Sequence, residues 1–208
     1  MTTLEILKRL FSDKGELVEV AKVIDTYKDK FGLNTELRLK HFLSQVREEV
    51  GSEFEVRREN LNYKAEALPK LFSAFRGNEL ANRYGRTSTQ EADQEMIANI
   101  AYANKLGNGA IESGDGYKYR GAGCLQITGK ANFEEVQKRC VKYAGKEMDP
   151  DTLEGFVVFG MAYWMRFDLY KIADGGEYGT VVDNITAKIN RYTDSYENRR
   201  SHFNKLKG

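Results

Sequence analysis

The sequence predicts a mainly α-helical fold, and three observations lead to this expectation. Apolar residues recur about every 3.6 positions over most of the chain, instead of alternating as they do in half-buried strands. Only 2 prolines interrupt the 208 residues. A hydrophobic fraction of 41% at this length suffices for one substantial core or two small lobes. We therefore expect residues 1–208 to form a single folded domain.

The apolar rhythm places four helices in the first half of the chain. One stripe covers residues 17–31, a second covers 39–50 and a shorter one covers 68–75. The Ser-Thr-Gln-Glu sequence at 88–91 matches the capping-box pattern. It predicts the start of a helix that continues through Ile97, Ile100 and Ala101.

Glycines interrupt this rhythm over residues 107–123, where we expect an ordered loop. Helical periodicity then resumes at Phe133. The nearly all-apolar segment 156–167 predicts a buried central helix, since a helix that is apolar on every side must lie inside the fold. A further helix is expected over 181–189, followed by a charged terminal helix.

Charge and composition exclude several classes of function. The 32 Lys and Arg residues nearly balance 31 Asp and Glu, so we expect no nucleic-acid partner. The longest apolar run is about half of the roughly 20 residues that span a bilayer, so stable membrane insertion is not expected. The first ten residues lack the apolar core of a signal peptide. Two cysteines without CxxC spacing and 2 histidines predict neither a metal site nor a cofactor.

Two glutamates near the end of the second helix are candidate acids. Helical geometry puts Glu49 at the margin of the apolar stripe that contains Phe42 and Val46, and Glu48 on the more exposed side. Partial desolvation of a carboxyl group favours its protonated form, so Glu49 is the better candidate for a proton donor. The alternative interpretation is that both are part of a solvated helix end.

A second carboxylate follows ten residues later, at Glu59. Its neighbours Arg57 and Arg58 would keep it ionised. One protonated and one ionised carboxyl group is the arrangement that glycosidases use, and a separation of about 6.5–9.5 Å predicts inversion at the anomeric carbon.

The glycine-rich loop 114–129 contains neither of the common phosphate-binding patterns. Its aromatic, amide and hydroxyl groups suit sugar rings and their hydroxyls better. Tyr117 and Tyr119 could equally be packed residues of the loop, and the sequence leaves both interpretations open.

Two blocks of this sequence resemble glycoside hydrolase family 19, the chitinase family that also includes lysozyme-like endolysins of phages that infect Gram-negative bacteria. The first block comprises HFLSQVREE at 41–49 and ENLNY at 59–63. The second comprises IAN at 97–99, GNG at 107–109, GDG at 114–116 and YRGAGCLQITG at 119–129. The resemblance covers residues 37–199, and the length of the second block makes it specific.

The resemblance implies a fold, a reaction and a set of site residues. The fold is a lysozyme-like, two-lobed helical glycan hydrolase with a central cleft and little or no β-sheet. Glu49 takes the position of the general acid, Glu59 that of the base that activates water, and Thr128 that of a hydroxyl that helps to hold this water. The residues at positions that would bind sugar or order the carboxylates are Tyr63, Tyr119, Arg120, Gln126, Asn132, Asn190 and Arg199.

Three departures from the family pattern concern the surroundings of the acid and the sugar subsites. Glu48 replaces the family's His before the catalytic Glu, Ala122 replaces an Arg in Arg-Gly-Arg-Gly, and Arg191-Tyr192 replaces a late Gly-Gly. A like charge at Glu48 would alter the acid's titration if the two carboxylates approach. We therefore expect activity with an altered pH profile, which Glu48→His would change.

Context favours bacterial peptidoglycan over chitin as the substrate. The sequence predicts no secretion signal, no separate chitin-binding module and no disulfide framework. These features fit a monomeric endolysin that hydrolyses β-1,4 bonds of peptidoglycan and remains in the host cytoplasm until a holin gives it access to the wall. A chitinase, a lytic transglycosylase with essentially one catalytic Glu, and a non-catalytic wall-binding relative are the alternatives.

Overall fold

The fold is mainly helical, as the sequence predicts. The structure, a computed structural model, describes residues 1–12, 16–77 and 79–207. In these ranges, β-type pairing is confined to two isolated bridges, Lys64 with Arg86 and Ala122 with Ile127. No helix in the described part of the chain combines the length and the hydropathy of a bilayer-spanning segment.

The α-helices are numbered here in chain order. They are α1 (Thr3–Leu10), α2 (Leu17–Tyr27), α3 (Glu36–Val50), α4 (Leu68–Leu71), α5 (Glu79–Tyr84), α6 (Gln94–Tyr102), α7 (Asp115–Lys118), α8 (Lys130–Ala144), α9 (Leu153–Arg166), α10 (Leu169–Ala173), α11 (Gly179–Ile189) and α12 (Tyr196–Asn204). Short 3-10 turns occupy Ser73–Phe75 and Ile111–Ser113.

The chain divides into two compact units. The first unit combines Met1–Arg57, Gly123–Gln126 and Glu135–Gly208, and the second combines Arg58–Ala122 and Ile127–Glu134. Helices α1 to α3 and α9 to α12 belong to the first unit, and α4 to α7 belong to the second. Helix α8 begins in the second unit and ends in the first.

The core of the first unit forms around α9, the helix that the apolar segment 156–167 predicts. Its residues from Phe156 to Ala162 are all buried. Trp164 packs edge-on against Phe42 of α3, with ring centroids 5.4 Å apart. Because α9 buries its whole circumference, it fixes α3, and hence Glu49 and its neighbours, against the interior.

The core of the second unit is smaller and lies around α6. Its fully buried members include Leu61, Leu68, Phe75, Ile97 and Ala98. Leu61 lies two residues after Glu59, and its main-chain amide donates to the side chain of Gln94 at the start of α6 (3.0 Å). The buried Leu61 therefore anchors the extended segment that presents Glu59.

The start of α6 corrects one prediction. The Ser-Thr-Gln-Glu sequence at 88–91 does not open a helix, because α6 begins at Gln94 and its N-cap is Asp93, whose side chain accepts from the Met96 amide. Gln90 instead donates to the main-chain carbonyls of Asn82 and Gly85. This side chain ties the turn at 87–90 to α5, so Ser88 lies in a turn and not at the start of a helix.

Candidate active site

Glu49 lies at the C-terminal end of α3 and is half-buried, with a side chain 17% exposed. Its Oε1 accepts a hydrogen bond from Nη2 of Arg199 on α12 at 2.6 Å. The Arg199 side chain is 2% exposed. A buried guanidinium thus fixes the orientation of the Glu49 carboxyl group.

Arg199 is itself held by a polar network in the core of the first unit. Its Nη1 donates to Oε1 of Gln45 (2.8 Å) and its Nε donates to Oγ of Ser195 (3.0 Å). The amide of Gln45 donates in turn to the hydroxyl of Thr186 on α11 (3.1 Å). Because these groups are buried and hydrogen-bonded across three helices, the network holds Arg199, and through it Glu49, in one position.

Glu48 is less exposed than its position on the helix predicted. The side chain is 20% exposed, nearly as buried as that of Glu49, and it does not lie on a solvated face. Its Oε2 accepts from Nε2 of His202 at 3.0 Å and its Oε1 from Nδ2 of Asn198 at 3.4 Å. Packing of α12 on α3 buries it, and helical periodicity of α3 alone cannot reveal a neighbour 150 residues away in the chain.

Glu59 lies in the extended segment that follows α3 and has two donors in the second unit. Its Oε1 accepts from the hydroxyl of Tyr102 at 2.6 Å, and its Oε2 accepts from the amide of Gly121 at 3.1 Å. The main-chain amide of Glu59 donates back to the Gly121 carbonyl at 2.8 Å. This reciprocal pair fixes the main chain and the carboxylate together.

The tyrosines around Glu59 stay protonated. Burial and the Glu59 carboxylate raise the pKa of Tyr102 far above its usual value. Burial, together with the same carboxylate, also raises the pKa of Tyr63. Tyr102 therefore acts as a hydrogen-bond donor to Glu59 over the whole physiological pH range.

The Gly-Asp-Gly sequence at 114–116 has a clear structural role. Asp115 accepts from the Gly109 amide (3.0 Å) and from Lys130 (3.3 Å), which together lower the pKa of its carboxyl group. Gly116 approaches α6 so closely that a Cβ atom would lie 2.4 Å from the carbonyl oxygen of Ala98. These contacts fix the loop that delivers the Gly121 amide to Glu59.

The other predicted site residues of the second unit cluster on this loop and at the start of α8. Arg120 stacks on the Tyr117 ring, with its guanidinium carbon 3.8 Å from the ring centroid. Tyr119 packs edge-on against the buried Phe133 at 5.3 Å. The carbonyl oxygen of Thr128 accepts from Nδ2 of Asn132 at 2.7 Å.

Two further predicted residues, Gln126 and Asn190, belong to the first unit. Gln126 adopts a left-handed conformation (φ 49°), and its amide donates to the Gly123 carbonyl at 3.2 Å. Asn190 follows the last residue of α11 and is exposed. Arg199, Gln126 and Asn190 thus lie in the same unit as Glu49, whereas Tyr63, Tyr119, Arg120, Thr128 and Asn132 lie in the same unit as Glu59.

Sequence reasoning missed Tyr102, which donates to Glu59, and Gln45, which accepts from the arginine that holds Glu49. Gln45 precedes Glu49 by four positions, so it lies on the same face of α3, and this spacing could have identified it. No local pattern distinguishes Tyr102, which ends α6 and lies 43 residues after Glu59.

Comparison with known proteins adds one relative to these observations. The chain is 34% identical over 176 residues to a glycosyl hydrolase family 19 domain-containing protein of Haemophilus influenzae. The aligned region covers 82% of this chain and 79% of the relative. No family model matches the chain.

Proposed function

We propose that this chain, which belongs to glycosyl hydrolase family 19 and is a glycoside hydrolase, cuts the β-1,4 bonds of bacterial peptidoglycan. The observation that carries the proposal is the contrast between its two candidate carboxyl groups. Glu49 is fixed through one oxygen by a buried guanidinium, whereas Glu59 is held through both oxygens by neutral donors. Two carboxyl groups in different surroundings can divide the roles of acid and base.

The proposed mechanism gives each carboxyl group one proton transfer. Glu49 donates a proton, assigned to Oε2 because Oε1 accepts from Arg199, to the glycosidic oxygen as its bond to the anomeric carbon breaks. Glu59 accepts a proton from the water whose oxygen bonds to that carbon. The Thr128 hydroxyl helps to orient the water. The two donors to Glu59 keep its oxygens in place for this transfer.

The preference for peptidoglycan over chitin has two supports. The relative comes from a bacterium, and bacterial walls contain a β-1,4 glycan that carries peptides. A cavity of about 650 Å³ in the second unit is lined by Arg86, by Lys64 and Glu66, which form an exposed ion pair at 3.8 Å, and by four uncharged residues. Cationic side chains suit the carboxylates of wall peptides, and chitin, a neutral polymer, offers no such group.

The proposed biological role is supported by the resemblance of the two sequence blocks to family 19, which includes phage endolysins. We propose that the enzyme acts at the end of phage infection, reaches the periplasm from the host cytoplasm through holin pores, and works as a monomer on the glycan strands. Lysis of Gram-negative cells on co-expression with a holin, and none with the holin alone, is the expected result.

Mass spectrometry of soluble fragments from purified Gram-negative peptidoglycan tests the enzymatic proposal. We expect reducing muropeptides from the wild type and at least a 100-fold slower release from Glu49→Gln and from Glu59→Gln. Gln at 49 still accepts from Arg199, so the fold should persist. Anhydro sugar ends would indicate a transglycosylase. Cleavage of chitin oligomers without cleavage of peptidoglycan would indicate a chitinase, and binding without products a wall-binding relative.

A further inference from the structure

Two consecutive carboxylates of α3 contact different residues of the same helix, α12. Glu49 accepts from Arg199, whereas Glu48 accepts from His202 and Asn198. The three partners cover just over one turn of α12. The two carboxylates therefore bind to the same short stretch of that helix.

The environment of His202 indicates which of its nitrogens carries the proton and donates to Glu48. Its side chain is 12% exposed, and its Nδ1 is buried without a hydrogen-bond partner among the described residues. This arrangement fits a neutral ring that carries its proton on Nε2. Nε2 then donates to Glu48, and Nδ1 has no proton that would need a buried acceptor.

The charges around His202 agree with a neutral ring. Burial and the positive charges of Arg47 on α3 and of Lys205, which directly follows α12, lower the pKa of His202, and Glu48 opposes them. On α11, which also packs against α12, Asp183 is paired with Arg200. The ring thus serves as a fixed neutral donor that does not change its charge near neutral pH.

The position of Arg199 depends on where α12 lies along α3. The guanidinium is buried, and it makes a fork of contacts with Glu49, Gln45 and Ser195 at 2.6–3.0 Å. A small shift of α12 would break this fork, because a planar guanidinium tolerates little change in direction. Contacts that fix the register of α12 therefore also fix the Glu49 carboxyl group.

We propose that Glu48 is a positioning residue, which sets the register of α12 on α3 through His202 and Asn198 and so lets Arg199 hold Glu49 in its reactive orientation. The proposal rests on the role of Glu49 as proton donor. It also explains how this chain accommodates a Glu where the family pattern has a His. Here the carboxylate is on α3 and its histidine partner lies on α12.

Substitution of His202 separates positioning from general stabilisation. For His202→Ala we expect kcat to fall about tenfold with KM within twofold of the wild type, since a misplacement of about 1 Å can cost roughly 100-fold. His202→Gln should recover most of this loss, because a Gln amide can donate from the position of Nε2 and Nδ1 makes no hydrogen bond to be lost. The double variant with Glu48→His and His202→Glu should have a kcat near that of the wild type, because the hydrogen-bonding pair is exchanged between the two helices. The single variant Glu48→His should have a reduced kcat.

Arg200→Gln is the matched control on the same helix. It breaks the 2.8 Å ion pair with Asp183 of α11 and does not touch the Glu48 contacts. We expect unchanged kcat. A loss equal to that of His202→Ala would mean that any weakening of α12 lowers activity, and it would overturn the proposal.

A second measurement does not depend on activity. The NMR signal of the Arg199 Nε–H group should shift in His202→Ala and return toward its wild-type position in His202→Gln. An unmoved signal in His202→Ala would overturn the proposal, whatever the kinetics show. If the wild type cleaved no glycan, the proposed function would fail, and the Arg199 signal alone would decide whether Glu48 positions α12.

Discussion

At the scale of single residues, Glu59 shows how its donors would support a base. The Tyr102 hydroxyl and the Gly121 amide donate to different oxygens of its carboxylate. The Gly121 carbonyl also accepts from the main-chain amide of Glu59. Both contacts come from neutral donors, and together they fix the direction in which the carboxylate faces. Only proline at position 121 would remove the amide, and it would also change the loop, so Tyr102 is the residue to change.

Tyr102→Phe removes one donor and keeps the ring in the core of the second unit. We expect kcat to fall about tenfold, since a hydrogen bond to a charged group contributes roughly 1.5–3 kcal/mol. Steady-state kinetics on soluble muropeptides measure this effect. Tyr84→Phe, in the same hydrophobic cluster, is the control and should leave kcat unchanged. Equal losses in both variants would attribute the effect to packing.

The identities of these residues were accessible from the sequence to different degrees. The Glu49 position follows from helical spacing and from the family resemblance, because both are local in the chain. The partners Arg199 and Tyr102 are 150 and 43 residues away. Arg199 was found only through the resemblance, and Tyr102 was not found, since nothing local marks a residue that a distant carboxylate selects.

At the scale of elements, the long helices were predictable and the short ones were not. The stripes at 39–50, 156–167 and 181–189 correspond to α3, α9 and α11, because each buries a wide apolar face. Helices α5, α7 and α10 have 4–6 residues, too few for a period to be seen, and the helix predicted at 68–75 is divided into α4 and the 3-10 turn Ser73–Phe75. Helix α1 was also missed as an element, although Thr2 and Glu5 form a capping box at its start.

The corrected start of α6 gives a prediction about caps. Asp93→Ala should lower the free energy of unfolding by about 1 kcal/mol, because it removes the acceptor for the Met96 amide. Ser88→Ala should change the free energy of unfolding by less than about 0.5 kcal/mol, as for an exposed surface residue. Urea unfolding of both variants measures the difference. A larger cost at Ser88 than at Asp93 would support the capping box at 88–91.

At the scale of the whole molecule, a buried histidine couples stability to pH. His41 of α3 is fully buried, stacks on Phe203 of α12 and bonds through Nε2 to the Gly176 carbonyl at 3.0 Å. Burial lowers the pKa of His41 to about 4. The unfolded chain binds a proton here below about pH 6.5, so the folded state loses stability as pH falls from 6.5 toward 4.

Protonation of His41 should lower the free energy of unfolding by about 3 kcal/mol when the pH falls below 4. His41→Gln removes the titration and keeps a donor for the Gly176 carbonyl. Urea unfolding at pH 7 and pH 4 should therefore show a smaller acid destabilisation in the variant by about this amount, with carboxylates contributing equally to both proteins. Parallel pH dependences in the two proteins would show that His41 titrates normally.

The central claim is that Glu49 and Glu59 act as acid and base in an inverting hydrolysis, and the anomeric configuration of the first product tests it most directly. Proton NMR, recorded within the first minutes of reaction on a soluble β-1,4 substrate, distinguishes the two anomers before they interconvert. The mechanism predicts that the α-anomer forms first, because water attacks the face opposite the leaving group. Initial formation of the β-anomer would contradict it, since retention requires a different role for one of the two carboxyl groups.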